Sequence, residues 1–259
     1  MTSPNIALAG GGSMPLLGFG TWQATGRKAR AAVAVALEAG YRHIDTATMY
    51  GNEAEVGQAL RDSGVDPAEV FITTKLPPER AGRERPTIDA SLAALGVDAL
   101  DLWLIHWPPR GRSVEVWREF VAARDAGLTR AIGVSNYSIA QIDELTKETG
   151  ETPAVNQIKW GPALYDAALA EEHRARGVVL EGYSPFKTTN LRDAVLVRIA
   201  GAHGVTPAQV VERWHIQHEF VVIPKSVTPD RIRVNFDVFG FSLSDEEMRQ
   251  VDGLGSPRG

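Results

Sequence analysis

Short apolar runs alternate with amphipathic stretches along nearly the whole chain. The runs are LLGFGTW (16–22), YRHIDTA (41–47), VFITTKL (70–76), LDLWLIHW (100–107), RAIGVSN (130–136), AVNQIKW (154–160), VVLEGYS (178–184) and FVVIPKS (220–226). They begin about 20 to 30 residues apart, with one wider gap before the last. Between them, GRKARAAVAVALEAG, NEAEVGQALRDSG, SIAQIDELTKETG and TPAQVVERWHIQHE carry helical periodicity, and several of these close on Gly, as helix C-termini do. Buried runs alternating with helices imply βαβ units and a parallel sheet. Eight units in one chain of this length predict a closed (β/α)8 barrel of the TIM type, a single unit over residues 1–259. The opening NIALAGGGSMPLL reads as an N-terminal β-hairpin that caps the barrel bottom. TPDRIRVNFDVFG and SDEEMRQVDG read as two helices after the last strand.

Composition narrows the function. The 44% hydrophobic and 23% charged residues are those of an ordinary globular chain. A net charge of −5 and a pI near 5.7 argue against nucleic acid as the main partner. The absence of cysteine removes disulfides, thiolate metal sites and Cys nucleophiles together. The first residues have neither a basic segment nor a long enough apolar stretch for a signal peptide, and no run reaches the ~20 residues of a membrane helix. A cytoplasmic protein without a membrane partner is expected.

What closes each strand points to chemistry. The second run carries Asp45, the third Lys75, the fourth His106 followed by Trp107. The fifth ends on Ser135 and Asn136, the sixth holds Gln157, the seventh ends on Tyr183 and Ser184, the eighth on Lys225 and Ser226. In a parallel barrel these ends meet at the face where barrel enzymes place their sites. A packed apolar strand gains nothing from an isolated charge at its tip. Asp45 and Lys75 come from adjacent strands and can pair; His106 comes from the next, and Tyr50 leans over from the loop after Asp45. Taken singly, Asp45 reads as a cap, Lys75 as a surface ion pair, His106 as structural and Tyr50 as packing. Together they read as an acid site in which Tyr50 donates a proton and Asp45 holds Lys75, whose charge is expected to lower the phenol pKa.

The segments GFGTW, YRHIDTATMYGNE, FITTKL, DLWLIHWP, IGVSNY, NQI, YSP and VVIPKSVTPDRI, in this order, closely resemble the aldo-keto reductase family, its prokaryotic, short-loop members above all. The resemblance implies a metal-free, NADPH-dependent carbonyl reductase, monomeric, with a catalytic tetrad at Asp45, Tyr50, Lys75 and His106. It places the nicotinamide on Tyr183, its amide on Ser135, Asn136 and Gln157, and Thr21 and Trp22 at that end. Ser184 and Thr188 fall by the diphosphate; Lys225, Ser226, Val227, Thr228 and Arg231 surround a 2′-phosphate, and Asn235 the adenine. Two cations with hydroxyls suit a phosphomonoester, which favours NADPH over NADH. The chain departs from the family pattern at Val234, where Glu is frequent, in IKWGP in place of IExHP (Lys159, Gly161), and in YSPFKTT in place of YSPLG (Phe186, Lys187).

Trp22, Met49 and Trp107 are the expected substrate wall, suited to small aldehydes, ketones or dicarbonyls. Trp103, Trp117, Trp160 and Trp214 are expected in packing. The short segment after IHWPPRGRS and the short tail GLGSPRG predict an open site of broad specificity. Three rival readings were weighed. YSPFK satisfies Tyr-x-x-x-Lys, but Pro185 opposes the helix that pair needs, and no strict G-x-G-x-x-G is present. His43 and Asp45 lack a third metal ligand of suggestive spacing. A non-catalytic NADPH-binding regulatory subunit of the same fold would keep the cofactor residues without turnover.

Overall fold

In the computed structural model, which describes residues 3–255, Asn5–Ala7 (β1) and Ser13–Pro15 (β2) pair antiparallel with Ile6 opposite Met14. Ile6 and Ala7 border Val178–Leu180 and Phe220, at the starts of two barrel strands, so the hairpin covers the bottom as expected. The end of the tail, residues 256–259, lies outside the described residues.

Eight parallel strands follow in chain order: Phe19–Gly20 (β3), His43–Asp45 (β4), Phe71–Leu76 (β5), Leu100–Ile105 (β6), Thr129–Ser135 (β7), Val155–Lys159 (β8), Val179–Tyr183 (β9) and Val221–Ile223 (β10). A parallel bridge between Leu17 and Val222 brings the last strand back against the first. Each lies inside the run expected for it except β7, which starts one residue earlier, at Thr129. β3, β4 and β10 are shorter, because the polar residues at their ends belong to loops. Gly18 lets two strands approach where a side chain could not stand: a Cβ there would lie 2.4 Å from Nδ1 of His43.

The helices are Gly26–Ala39 (α1), Glu53–Asp62 (α2), Glu84–Leu95 (α3), Ser113–Asp125 (α4), Ile139–Thr149 (α5), Ala167–Ala175 (α6), Ala194–His203 (α7), Pro207–Gln217 (α8), Pro229–Phe236 (α9) and Asp245–Asp252 (α10). The wider gap before β10 holds two helices, α7 and α8. Sequence dictates their ends. α1 buries Ala29, Ala32, Val33, Ala36 and Leu37, one stripe at helical spacing. Ser138, Thr206 and Ser244 each open a helix with a reciprocal capping box, to Gln141, Gln209 and Glu247. No single helix among the described residues is long and apolar enough to cross a membrane.

Trp103, Trp117, Trp160 and Trp214 are all buried in packing. Trp103 stacks flat on Phe120, with ring centroids 3.7 Å apart, while Trp160 and Trp214 meet Phe220 edge-on or tilted. Glu212 of α8 interrupts this apolar packing. It is fully buried, and neither carboxylate oxygen has a hydrogen-bond partner among the described residues. Burial pushes its pKa well above the ordinary carboxylate value. Burial and then Glu212 also push up the phenol of Tyr41.

Folded Glu212 therefore keeps a proton that an unfolded chain releases above about pH 4.3. Stability from this group falls as pH rises from there toward the folded pKa. E212L should stabilise the protein by ~1–3 kcal/mol at neutral pH and make stability less dependent on pH than in the wild type. Denaturant titrations at acidic and neutral pH check both.

Candidate active site

The ends of β4 and β5 set the charge at the centre. Asp45 and Lys75 stand on neighbouring strands, Asp45 pairing with Thr73 two residues before the lysine. The Lys75 ammonium donates to both oxygens of Asp45 at 2.7 Å and to the carbonyl of Thr46 at 2.7 Å. Lys75 is fully buried and Asp45 nearly so. Burial alone would discharge the lysine, but Asp45 and Tyr50 reverse this and hold its pKa above the ordinary value. The amide nitrogen of Gln157 donates to Oδ2 of Asp45 at 2.8 Å.

Tyr50 closes the 3₁₀ turn Thr48–Tyr50, anchored by the Thr48 hydroxyl donating to the Lys75 carbonyl at 2.9 Å. Lys75 Nζ lies 5.2 Å from the Tyr50 ring centroid, and the His106 ring meets Tyr50 edge-on at 5.7 Å. The structure corrects the sign expected for Tyr50. Burial raises its pKa; the Lys75 charge opposes this but does not outweigh it, so the phenol sits above the ordinary value. Burial, then Lys75, lowers His106 to about 3, so its imidazole is neutral. Nδ1 of His106 is buried without a hydrogen-bond partner. A buried, unpartnered N–H is rarer and costlier than a buried lone pair, which favours the tautomer with the proton on Nε2.

Four of the residues expected to hold the cofactor, Ser135, Asn136, Gln157 and Tyr183, are joined in one network. Asn136 donates to the His106 carbonyl at 3.1 Å and to Oγ of Ser135 at 2.9 Å, and accepts from the Tyr183 hydroxyl at 2.9 Å. Ser135 donates to the Gln157 carbonyl at 2.8 Å. Thr21 is wholly buried, and its hydroxyl donates to the Asp45 carbonyl at 3.0 Å, so it braces a strand end rather than presenting a group to a ligand. Among the described residues four non-glycine residues have positive φ, and three sit here: Gln23 beside Trp22, Asn136 and Ser184. Such backbone costs about 1–3 kcal/mol each and clusters at functional sites.

Toward the other end, Lys225 and Arg231 form no ion pair among the described residues. Thr228 stands at the N-cap of α9 without a side-chain cap bond, and its amide donates to Oγ of Ser226 at 3.1 Å. Val227 is exposed, whereas Asn235 is buried in α9. Trp22, Met49 and Trp107 are 45%, 55% and 47% exposed, large apolar side chains left uncovered where the substrate wall is expected.

The departures at Gly161 and in the loop after β9 form one adaptation. A Cβ on Gly161 would lie 2.3 Å from Oγ1 of Thr188. The missing side chain lets Thr188 seat, its hydroxyl donating to the Pro185 carbonyl at 2.9 Å. That hydroxyl is thereby engaged within its own loop. Lys159 is exposed at the end of β8.

Two groups went unmarked in the sequence. Asn52 precedes α2 like a cap, yet its amide donates to the carbonyls of Thr21 and Ala24 at 3.0 and 2.9 Å and accepts from Thr46 at 2.7 Å. It ties the Trp22 loop to the strand end that carries Asp45. Glu181 of β9 is fully buried, 3.8 Å from Nε2 of His43, with no hydrogen-bond partner for either oxygen. Burial, then Asp45, pushes its pKa up to about 8. His43, lowered to about 3 by burial and then Lys75, is neutral. Its Nε2 lies 3.2 Å from the Thr73 hydroxyl, so this histidine faces the barrel interior.

The family model described as the aldo/keto reductase family matches residues 16–256. An aldo-keto reductase of Mycolicibacterium smegmatis is 46% identical over 257 residues, covering 97% of this chain and 94% of that protein. The crystal structure of an aldo/keto reductase from Brucella melitensis superposes with a TM-score of 0.94 at 42% identity, over 98% of this chain and 100% of that one. A Bombyx mori aldo-keto reductase in complex with NADP gives 0.91 at 32% identity, over 98% and 93%.

Removing one partner of a buried pair leaves the other charge uncompensated, at a cost of about 3–5 kcal/mol. D45L and K75M should each destabilise by that order, and the double variant D45L/K75M by clearly less than their sum. Denaturant unfolding of the four proteins measures the coupling.

Proposed function

This chain belongs to the aldo/keto reductase family and is an NADP-dependent oxidoreductase, and we propose that it reduces small aldehydes, ketones or dicarbonyls with NADPH and a proton from Tyr50. The observation that carries this reading is the chelated Lys75–Asp45 pair, 2.7 Å across, beneath a phenol whose ring centroid is 5.2 Å from the ammonium.

The residues present fit a 2′-phosphorylated dinucleotide. Two cations without carboxylate partners, Lys225 and Arg231, flank the uncapped start of α9, where free backbone amides favour an anion. Ser226 and Thr228 supply hydroxyls at the same place, and Val227 stands exposed between them. Asn235 would support the adenine side from within α9. Tyr183, half-buried and held by Asn136, offers a ring face for the nicotinamide, with Ser135, Asn136 and Gln157 around it. Ser184, Thr188 and the Trp22 loop lie between these ends. Bound NADPH supplies hydride to the carbonyl carbon.

The chain's own groups then handle the oxygen. Tyr50 keeps its proton through neutral pH because burial raises its pKa, and it gives that proton to the carbonyl oxygen. The Lys75 ammonium stabilises the phenolate left behind, and Asp45 keeps the ammonium charged and in place. Neutral His106, carrying its proton on Nε2, donates to the same oxygen and orients it. Trp22, Met49 and Trp107 cover the apolar side of a small substrate. The size and exposure of these apolar side chains support broad specificity.

Purified protein, NADPH and a dicarbonyl of the methylglyoxal type test the reading by NADPH oxidation. Y50F should lower turnover about 10²–10⁴-fold while NADPH binding is kept. The rate should show no histidine titration between about pH 5 and 7, where an ordinary imidazole would change charge, since His106 titrates near 3. R231A should weaken NADPH and leave NADH unchanged; equal wild-type rates with both would refute the phosphate pocket. Tight NADPH binding without turnover of any carbonyl in a broad panel would favour the non-catalytic subunit.

A further inference from the structure

Lys187 is a cation with no carboxylate partner among the described residues, and it is not left to wander. Its Nζ lies 4.3 Å from the centroid of the Trp22 ring. The loop that carries it is a closed turn: the amides of Lys187 and Thr188 donate to the Ser184 carbonyl at 3.0 and 3.2 Å. Ser184 holds a positive φ of 56° to make that turn, and Gly161 leaves the space in which Thr188 seats. A second ammonium without a carboxylate partner among the described residues, that of Lys225, stands near the same Trp22 loop. Burial, then the charge of Lys187, lowers the pKa of Lys225. The stem of Lys225 stands at the start of the Trp22 loop, since a Cβ on Gly20, two residues before Trp22, would lie 3.7 Å from Lys225 Cβ, and Gly20 donates its amide to the carbonyl of Pro224 at 3.0 Å.

Two ammonium groups brought together without a counter-ion repel, and an anion between them relieves the repulsion. Their place in the chain says which anion. Lys187 stands four residues after Tyr183, on the nicotinamide side, and Lys225 opens the 2′-phosphate cluster. The segment of a dinucleotide that runs from one to the other is its diphosphate. We propose that Lys187, held over the Trp22 indole and near Lys225, is a ligand for the cofactor diphosphate and sets the affinity for both nicotinamide dinucleotides. This rests on the dinucleotide cleft proposed above. The indole face orients the ammonium without neutralising it, as an acidic partner would.

The diphosphate is common to NADPH and NADH, whereas the 2′-phosphate is not, and this separates Lys187 from Arg231. Dissociation constants for NADPH and NADH, from fluorescence titration of the full chain, should rise by the same factor in K187M, about tenfold or more. K187R should restore most of the loss. The methionine keeps an unbranched apolar stem over Trp22, so a packing role alone would leave K187M near wild type. The salt dependence of binding should also be shallower in K187M. R231A run alongside should weaken NADPH alone.

Equal binding of either dinucleotide by K187M and wild type overturns the assignment and leaves the cleft standing. Unchanged dinucleotide binding with a raised KM for carboxylate-bearing carbonyls overturns it in favour of a substrate contact. Loss confined to NADPH overturns it in favour of a 2′-phosphate contact. A wild-type protein that binds neither dinucleotide removes the cleft itself, and the assignment with it.

Discussion

The buried Lys75 ammonium is the constraint around which the rest of the site is arranged. An isolated charge of this kind would neutralise itself or unfold its surroundings. Three acceptors prevent that: both oxygens of Asp45 and the carbonyl of Thr46. Their geometry depends on barrel register. Asp45 sits opposite Thr73, and two residues further along β5 the side chain of Lys75 points to the same interior. A shift of one residue in that pairing would turn the lysine outward. The acid site and the closure of the barrel are thus one requirement.

Around this pair the protein balances charge. Within the interior, Lys75 meets two carboxyl groups, Asp45 and Glu181, but burial and Asp45 keep Glu181 protonated to about pH 8. One cation then faces one anion at neutral pH. His43 and His106, buried beside this pair, are both lowered to about 3 and contribute no charge. Tyr50 therefore sits over a centre whose field comes from one ammonium and one carboxylate. That field eases the appearance of negative charge on the phenol without creating it beforehand.

Much of this was legible in the sequence, because alternation of apolar runs with helices is a long-range pattern and polar strand ends stand out against it. The barrel, the hairpin and the gathering of Asp45, Tyr50, Lys75 and His106 followed from those signals. Depth was not legible. Glu181 reads as one more residue in a strand, and Glu212 as one more charge on an amphipathic helix; only packing reveals that neither oxygen of either finds a partner. Asn52 looks like a cap but bonds across two loops. The pKa of Tyr50 departs from the expected direction for the same reason: a neighbouring ammonium can be inferred from strand order, whereas the burial that outweighs it cannot. Lys187 and Gly161 were visible as departures, but their connection through Thr188 needed coordinates.

The uncovered apolar rim has a consequence for how such a protein diversifies. Trp22, Met49 and Trp107 stand on loops with about half their surface free, while Asp45 and Lys75 lie inside the barrel. Substitutions at the three exposed positions touch few packed neighbours and so carry little penalty in folding. The buried Lys75–Asp45 pair is insulated from them. Lineages of this chain can therefore vary the rim at Met49 and Trp107 with that pair inherited unchanged, whereas Trp22 also carries the Lys187 ammonium over its ring.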